Sequence, residues 1–411
     1  MARVRHDDAA DGGRRKKPAA KAGPQAGAGA RATGLPPVTA PATGASEAAE
    51  PTVPYRTRAR SQADDARPLL DGKVADEDAD AAAGLRPQRF ADYIGQDALK
   101  RKLEVFVAAA KQRGEPLDHT LLHGPPGLGK TTMAQILAHE LGVRIHITSG
   151  PAVEHKGVLA GHLTALEPGD VLFIDEIHRL SPTVEESLYS AMEDGRIDLP
   201  VGEGSRARTM PFSLAPFTLV GATTRTALLS APLRERFQIL EGIDFYSDAE
   251  LAKIVQRTAG LLGMPASAAA AKEIGHRSRG TPRIANRLTR RVRDFAQVRG
   301  KTRIEEEDAG YALAQLGIDG SGLDAIDRRI LEAIMDQFEG GPVGIEALAA
   351  TLSEPRDTLE DVYEPFLLQR GFLVRTPRGR QVTRKARRHL GRAEPSDDES
   401  PPSAKQGELD L

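Results

Sequence analysis

Gly124-Pro-Pro-Gly-Leu-Gly-Lys-Thr131 is a complete G-x-x-x-x-G-K-[ST] phosphate loop. The apolar run Thr120-Leu-Leu-His123 precedes it and the helical pattern Thr132-Met-Ala-Gln-Ile-Leu-Ala-His139 follows, so the motif has the strand and helix it requires. Glycines such as Gly127 and Gly129 let the backbone wrap closely around phosphate oxygens, where its N–H groups and the next helix N-terminus meet the anion. Lys130 is placed to reach the β- and γ-phosphates of ATP, and the Thr131 hydroxyl to hold Mg²⁺. The plainer alternative is a Gly/Pro turn between a strand and a helix. Four fixed positions with both flanks correct count against it.

A phosphate loop needs a second strand that carries carboxylates, and Asp170-Val-Leu-Phe-Ile-Asp-Glu176 supplies one. Four consecutive apolar residues suit a strand buried on both faces of a parallel sheet, which delivers Asp175 and Glu176 to its C-terminal edge beside the loop. Asp175 is expected to bind Mg²⁺ through water, and Glu176 to orient and polarise the attacking water.

The 411 residues allow two or three domains, and the net charge of −2 gives no global electrostatic steering. With no cysteine, disulfides and cysteine-based zinc sites are excluded, and the ten histidines show no ligand-like cluster. No stretch approaches the length of a membrane span and no apolar signal core opens the chain, so a cytoplasmic protein with no membrane partner is expected.

Residues 1–83 are rich in Ala, Gly, Pro and Arg, with a basic patch at Arg14-Arg-Lys-Lys17 and an acidic one at Asp76-Glu-Asp-Ala-Asp80. Too few large apolar residues are present to offset the ordering entropy, so disorder is expected, and the basic patch reads as a solvated tail or a nucleic-acid contact. Helix 97–113 leads to the loop, and strands at 120–123, 144–148, 171–174 and 217–224 alternate with helical patterns. That is a doubly wound α/β domain, 84–246. Within it, 196–201 and 209–214 alternate apolar and polar residues around a Gly-Glu-Gly centre, the signature of a hairpin that projects.

Residues 247–320 hold helical patterns at 248–262, 266–278, 282–298 and 305–316, and no convincing strand. Between Arg277 and Arg303 stand ten basic residues against one acidic. In 321–391, helices at 324–338, 345–352 and 357–369 precede two strands joined by a Pro-Arg-Gly turn, the pattern of a winged helix. From Arg370 to Gly391 there are eight basic residues and no acidic one. Residues 392–411 form an acidic tail, expected to be disordered.

In combination these motifs resemble the ring-forming AAA+ ATPases, and among them the bacterial Holliday-junction branch-migration motors. The segments that carry the resemblance include Leu85-Arg-Pro, Asp92-Tyr-Ile-Gly-Gln96, the phosphate loop, Leu172-Phe-Ile-Asp-Glu-Ile-His-Arg-Leu-Ser181, Gly221-Ala-Thr-Thr-Arg225, Arg277-Ser-Arg-Gly-Thr-Pro-Arg283 and Arg375-Thr-Pro-Arg-Gly-Arg380. They span roughly residues 84 to 391.

The resemblance implies an ATP- and Mg²⁺-dependent homohexameric motor that moves duplex or Holliday-junction DNA. Its expected partners are a RuvA-like junction-binding protein, docked on hairpin 196–214 through Ile197, Leu199, Met210 and Phe212, and a junction resolvase. Carried over residue by residue, Thr224 senses the γ-phosphate, Arg236 is a finger supplied to the adjacent subunit and Arg283 is the sensor from the helical lid. Leu85, Arg86, Tyr93, Ile94 and Tyr246 surround adenine and ribose, with Thr132 beside the phosphates. Glu193, Asp194 and Gly195 match a segment near the nucleotide, and Arg356, Arg375, Arg378 and Arg380 face DNA. The sequence departs from the family pattern at His155-Lys-Gly-Val-Leu159, at Gly195 and in its long N-terminal extension. Two other readings stay open: a clamp-loader-type subunit, and a nucleotide-switched regulator that binds specific DNA through the wing.

Overall fold

In the computed structural model, residues 84–201 and 208–393 are described. The expected N-terminal tail, the C-terminal one from residue 394 and the centre of the hairpin lie outside the described residues.

Five parallel strands form the central sheet: β1 (Thr120–His123), β2 (Ile145–Ser149), β3 (Val171–Asp175), β6 (Thr218–Thr223) and β7 (Ile239–Gly242), in the order β2-β3-β6-β1-β7. Successive side chains of a strand point to opposite faces, and the cores follow that alternation. Leu122, Val171 and Phe173 join the core shared with the lid, while Leu121, Leu172 and Ile174 join the core beneath the hairpin. Each large side chain so buried contributes about 1.5–3 kcal/mol. The arrangement brings the C-terminal ends of β1, β3 and β6 to one edge, which places the phosphate loop, the acidic pair and the strand-end hydroxyls together.

β7 is absent from the sequence reading. Its residues, Ile239-Leu-Glu-Gly242, are too short and mixed to announce a strand, and they become one by pairing with β1 in register Thr120 to Ile239.

The hairpin is β4 (Arg196–Val201) with β5 (Arg208–Ser213), antiparallel, pairing Ile197 with Phe212 and Leu199 with Met210. The expectation that the hairpin projects is corrected at its base. Ile197 is fully buried and Leu199 and Leu214 pack against the same cluster, whereas Met210 (50% exposed) and Phe212 (39%) remain open. Gly195, at φ 60°, makes the turn into β4, and its carbonyl accepts from the Leu214 N–H at 2.8 Å. The other departure is also accommodated locally: His155 Nδ1 caps helix Lys156–Thr164 by accepting from the Gly157 N–H (3.2 Å).

Helices Asp248–Leu261, Ala268–His276, Pro282–Val298 and Glu306–Gln315 form the lid. A capping box between Ser247 and Glu250 starts the first, and Pro282 opens the third. The winged helix has helices Ala325–Gln337 and Ile345–Leu352, a third helical stretch from Arg356 to Gln369, strands β8 (Leu373–Thr376) and β9 (Gly379–Val382), and a short helix Arg384–His389 that the sequence reading lacks. The third stretch contains a π-helical turn at Leu359–Tyr363. These elements enclose their own core around Leu331, Ile334, Tyr363, Leu367 and Phe372.

Candidate nucleotide site and nucleic-acid face

The phosphate loop is shaped as a cradle. Gly127 and Gly129 take φ values of 80° and 103°, which L side chains rarely adopt, and a Cβ at Gly129 would stand 3.0 Å from the Tyr93 hydroxyl. Lys130 turns back into the loop, where its ammonium donates to the carbonyls of Gly124 (2.8 Å) and Pro125 (2.9 Å). Burial pulls it down to about 8, against the attraction of Asp175. An arriving phosphate would supply the countercharge that the two carbonyls only imitate.

Thr131 and Asp175 meet as the motif requires, with Oγ1 3.4 Å from the carboxylate. Glu176 follows at φ 48°, a strained left-handed position for this residue, with its carboxylate on Arg179 at 2.8 Å. Behind it, Gly150 permits a close approach: a Cβ there would lie 2.4 Å from the Glu176 carbonyl oxygen. Thr224 sits half-buried just past the end of β6. Its neighbour Thr223 is buried, with its hydroxyl 3.0 Å from His178 Nδ1.

Beside the loop, a cavity opens between the sheet domain and the lid. Leu85, Arg86, Tyr93, Ile94, Gly129, Thr132 and Tyr246, all singled out from sequence, line it. Tyr246 donates to the Tyr93 hydroxyl (2.7 Å), and both reach the Leu128 carbonyl; burial pushes the Tyr93 phenol up to about 12. Burial and the nearby Arg283 charge lower Arg86, which fits an opening poised to receive an anion. Arg283 enters from the lid, its N–H donating to the Gly127 carbonyl at 3.3 Å. The lid also contributes Ile254, Arg257, Thr258 and Asn286, which sequence reading missed. Arg257 holds the Leu85 carbonyl at 2.6 Å, and Thr258 bonds Asn286 at 2.7 Å. Helical periodicity shows that such residues share a face; it carries no sign of which face meets a ligand.

Glu193, Asp194, Gly195 and Arg236 do not line this cavity. Arg236 ion-pairs with Glu193 (3.0 Å), donates to the Pro232 carbonyl (2.8 Å) and stacks over the Tyr189 ring at 4.4 Å, while Asp194 pairs with Arg196.

The arginines expected to face DNA divide into two kinds. Arg378, in the wing turn, is exposed. Arg380 is 9% exposed and its guanidinium pairs with Glu364 and Glu360 (2.9 Å each), so it braces the wing. Arg375 forks onto Glu364 (3.0 and 2.7 Å) and Arg356 holds Glu346 and Glu360, although both side chains remain half-exposed. The carboxylates that hold them come from the third helical stretch, whose acidity the wing uses.

Family models match along the whole described chain. Residues 85–243 match the Holliday junction DNA helicase RuvB P-loop domain, 246–319 the RuvB AAA lid domain and 320–391 the RuvB C-terminal winged helix domain. The chain belongs to the RuvB family. It is 55% identical over 340 residues to the Holliday junction branch migration complex subunit RuvB of Myxococcus xanthus (strain DK1622), covering 83% of this chain and 97% of that protein. Among solved structures it is similar to the Thermotoga maritima RuvB Holliday junction branch migration motor, at 53% identity and TM-score 0.70 over 76% of this chain and 100% of that one. A mutant of the same Thermotoga maritima RuvB matches at 53% identity and TM-score 0.71, over 75% of this chain and 100% of that one. As a RuvB-family protein the chain is a nucleotide-binding P-loop ATPase of the Holliday-junction helicase class. That assignment sets aside the clamp-loader reading. Among the described residues no helix is long and apolar enough to cross a membrane.

Proposed function

We propose that this protein is the ATP-driven subunit of a homohexameric ring that moves duplex DNA through Holliday junctions in the cytoplasm, working with a RuvA-like junction-binding protein. The observation that carries the ring is the separation of Arg236 from the cavity. Arg236 is outside the cavity lining and held on Glu193, and in this reading it serves a neighbour's site, where it neutralises charge on the transferring phosphoryl group.

ATP enters between sheet domain and lid, its base among Leu85, Tyr93, Ile94 and Tyr246 and its phosphates on the loop N–H groups and Lys130. The residues fit Mg²⁺: Thr131 and Asp175 converge, and among the described residues no cluster of three metal-binding side chains exists. Two protein oxygens suit an ion that keeps several waters and takes the rest of its ligands from phosphates. When bound, that ion neutralises charge between the phosphates. Glu176 must leave Arg179 to orient the water, Thr224 reads the γ-phosphate, and Arg283 carries the state of the site into the lid. Sequence-independent DNA contact comes from the wing through Arg378 with Arg375 and Arg356, and the RuvA-like partner docks on Met210 and Phe212.

Electron microscopy with ATP and duplex DNA tests this reading. Rings encircling DNA are expected; single subunits bound at one preferred sequence would favour the nucleotide-switched regulator instead.

A further inference from the structure

Three joints close the three domains into a triangle. Sheet domain and lid meet at the cavity, through Arg283 on Gly127 and the Tyr246 N–H on the Gly280 carbonyl (2.9 Å). Lid and winged helix meet through Arg279, which is 2% exposed, ion-pairs with Asp324 (3.0 Å) and Asp327, and lies 4.9 Å over the Phe366 ring. Arg370 reinforces that joint on Asp248 (3.3 Å) and the His276 carbonyl (2.7 Å). The third joint returns from the winged helix to the sheet domain. Arg225 places Nε on Asp361 Oδ1 (3.0 Å) and Nη2 on Asp361 Oδ2 (2.7 Å) and Asp357 Oδ1 (3.1 Å).

Resting on the reading of this chain as a DNA-moving ATPase, we propose that Arg225 is a positioning residue that couples the γ-phosphate-sensing end of β6 to the DNA-binding wing. Two sets of contacts meet in it. Its main chain follows Thr224, and its N–H donates to the Thr223 hydroxyl (3.0 Å). The same Thr223 hydroxyl lies 3.0 Å from His178 Nδ1, two residues beyond Glu176. Burial lowers His178, which favours its neutral ring. The Arg225 side chain holds the π-helical turn that contains Asp361, next to Glu360, a carboxylate that braces Arg380 and Arg356. Displacement of the wing therefore reaches the sensing strand through one planar, bidentate guanidinium.

The triangle also identifies which joint yields. The Arg279 pair is sealed from water, whereas Arg225, Asp361 and Asp357 are 30%, 36% and 71% exposed. Solvent screening makes the Arg225 joint the easiest to open. A lid that rotates on ATP binding carries the winged helix with it and must open or re-form this joint, which gives the coupling its two states.

The test measures ATP turnover with and without duplex DNA, and DNA affinity with ADP and with a non-hydrolysable ATP analogue, in the full chain. Asp361→Asn and Arg225→Ala are each expected to keep DNA-free turnover within about twofold while the response to DNA falls at least fivefold. The nucleotide should also cease to alter DNA affinity, and DNA should cease to alter nucleotide affinity by the same factor. The charge swap Arg225→Asp with Asp361→Arg should restore at least half of the response, which a merely destabilised protein would not show. Asp361→Asn and Arg225→Ala proteins that respond to DNA like the parent overturn the proposal for Arg225 alone. A parent protein that neither binds DNA nor changes turnover with it overturns the functional reading first.

Discussion

Arg236 and Glu193 form an ion pair at 3.0 Å outside the lining of the nucleotide cavity. If the arginine completes a neighbour's site, Arg236→Ala should lower turnover by about 10³-fold or more. Glu176→Gln should be equally inactive while retaining nucleotide affinity, because its loop and finger are intact. Mixing the two proteins creates sites in which a sound Glu176 meets a sound Arg236, so activity should return in proportion to correctly ordered pairs. No recovery, with subunit exchange confirmed by labelled protein, would rule out supply by a neighbour.

Lys130 makes nucleotide binding a proton-linked event. Its folded value of about 8 lies below the ordinary 10.5, so between these values the unfolded chain holds a proton that the folded chain has released. Stability from this group therefore rises as pH rises through that window, and its cost is fully present below it. A bound phosphate restores the charge, so binding near pH 9 should take up most of one proton and binding at about pH 6.5 none. Calorimetry in buffers of differing ionisation enthalpy reads the number directly, and zero uptake at both values would show that Lys130 is already charged before the phosphate arrives.

The wing arginines should separate by assay. Arg378→Ala is expected to weaken binding about equally across DNA sequences and to reduce the salt slope by about 0.9, with the melting temperature unchanged. Arg380→Ala should instead cost about 2 kcal/mol in urea unfolding, since Glu364 and Glu360 lose a buried partner. Equal stability losses in both variants would contradict the division.

On the hairpin, Ile197→Ala should destabilise the protein by about 2–5 kcal/mol, because the side chain is fully buried. Met210→Ser with Phe212→Ser should leave stability unchanged and abolish capture of a RuvA-like protein on a biosensor surface. Retained capture would move the docking site elsewhere.

The phosphate loop and the strand ending in Asp175 were legible because fixed residue types at fixed spacing have few other uses. The helix at Asp97–Arg113 was legible because its apolar period is uninterrupted and Gly114 stops it. What escaped depended on partners distant in sequence. β7 exists because β1 offers it an edge, Ile197 is buried because a core lies beneath it, and Arg380 is held because Glu364 and Glu360 face it. A count of basic residues shows that a surface can attract phosphate, not which of its charges are already neutralised.

Gly150 gives the site a vulnerability that no inspection of reacting groups would disclose. The main chain of Glu176 leans on a spot where even a methyl group would intrude, at 2.4 Å from its carbonyl oxygen. Any replacement at position 150 would shift the carboxylate proposed to orient the attacking water without altering a side chain of the proposed nucleotide site. Loss-of-function variants in this protein should therefore include changes to a residue with no side chain and no chemistry of its own.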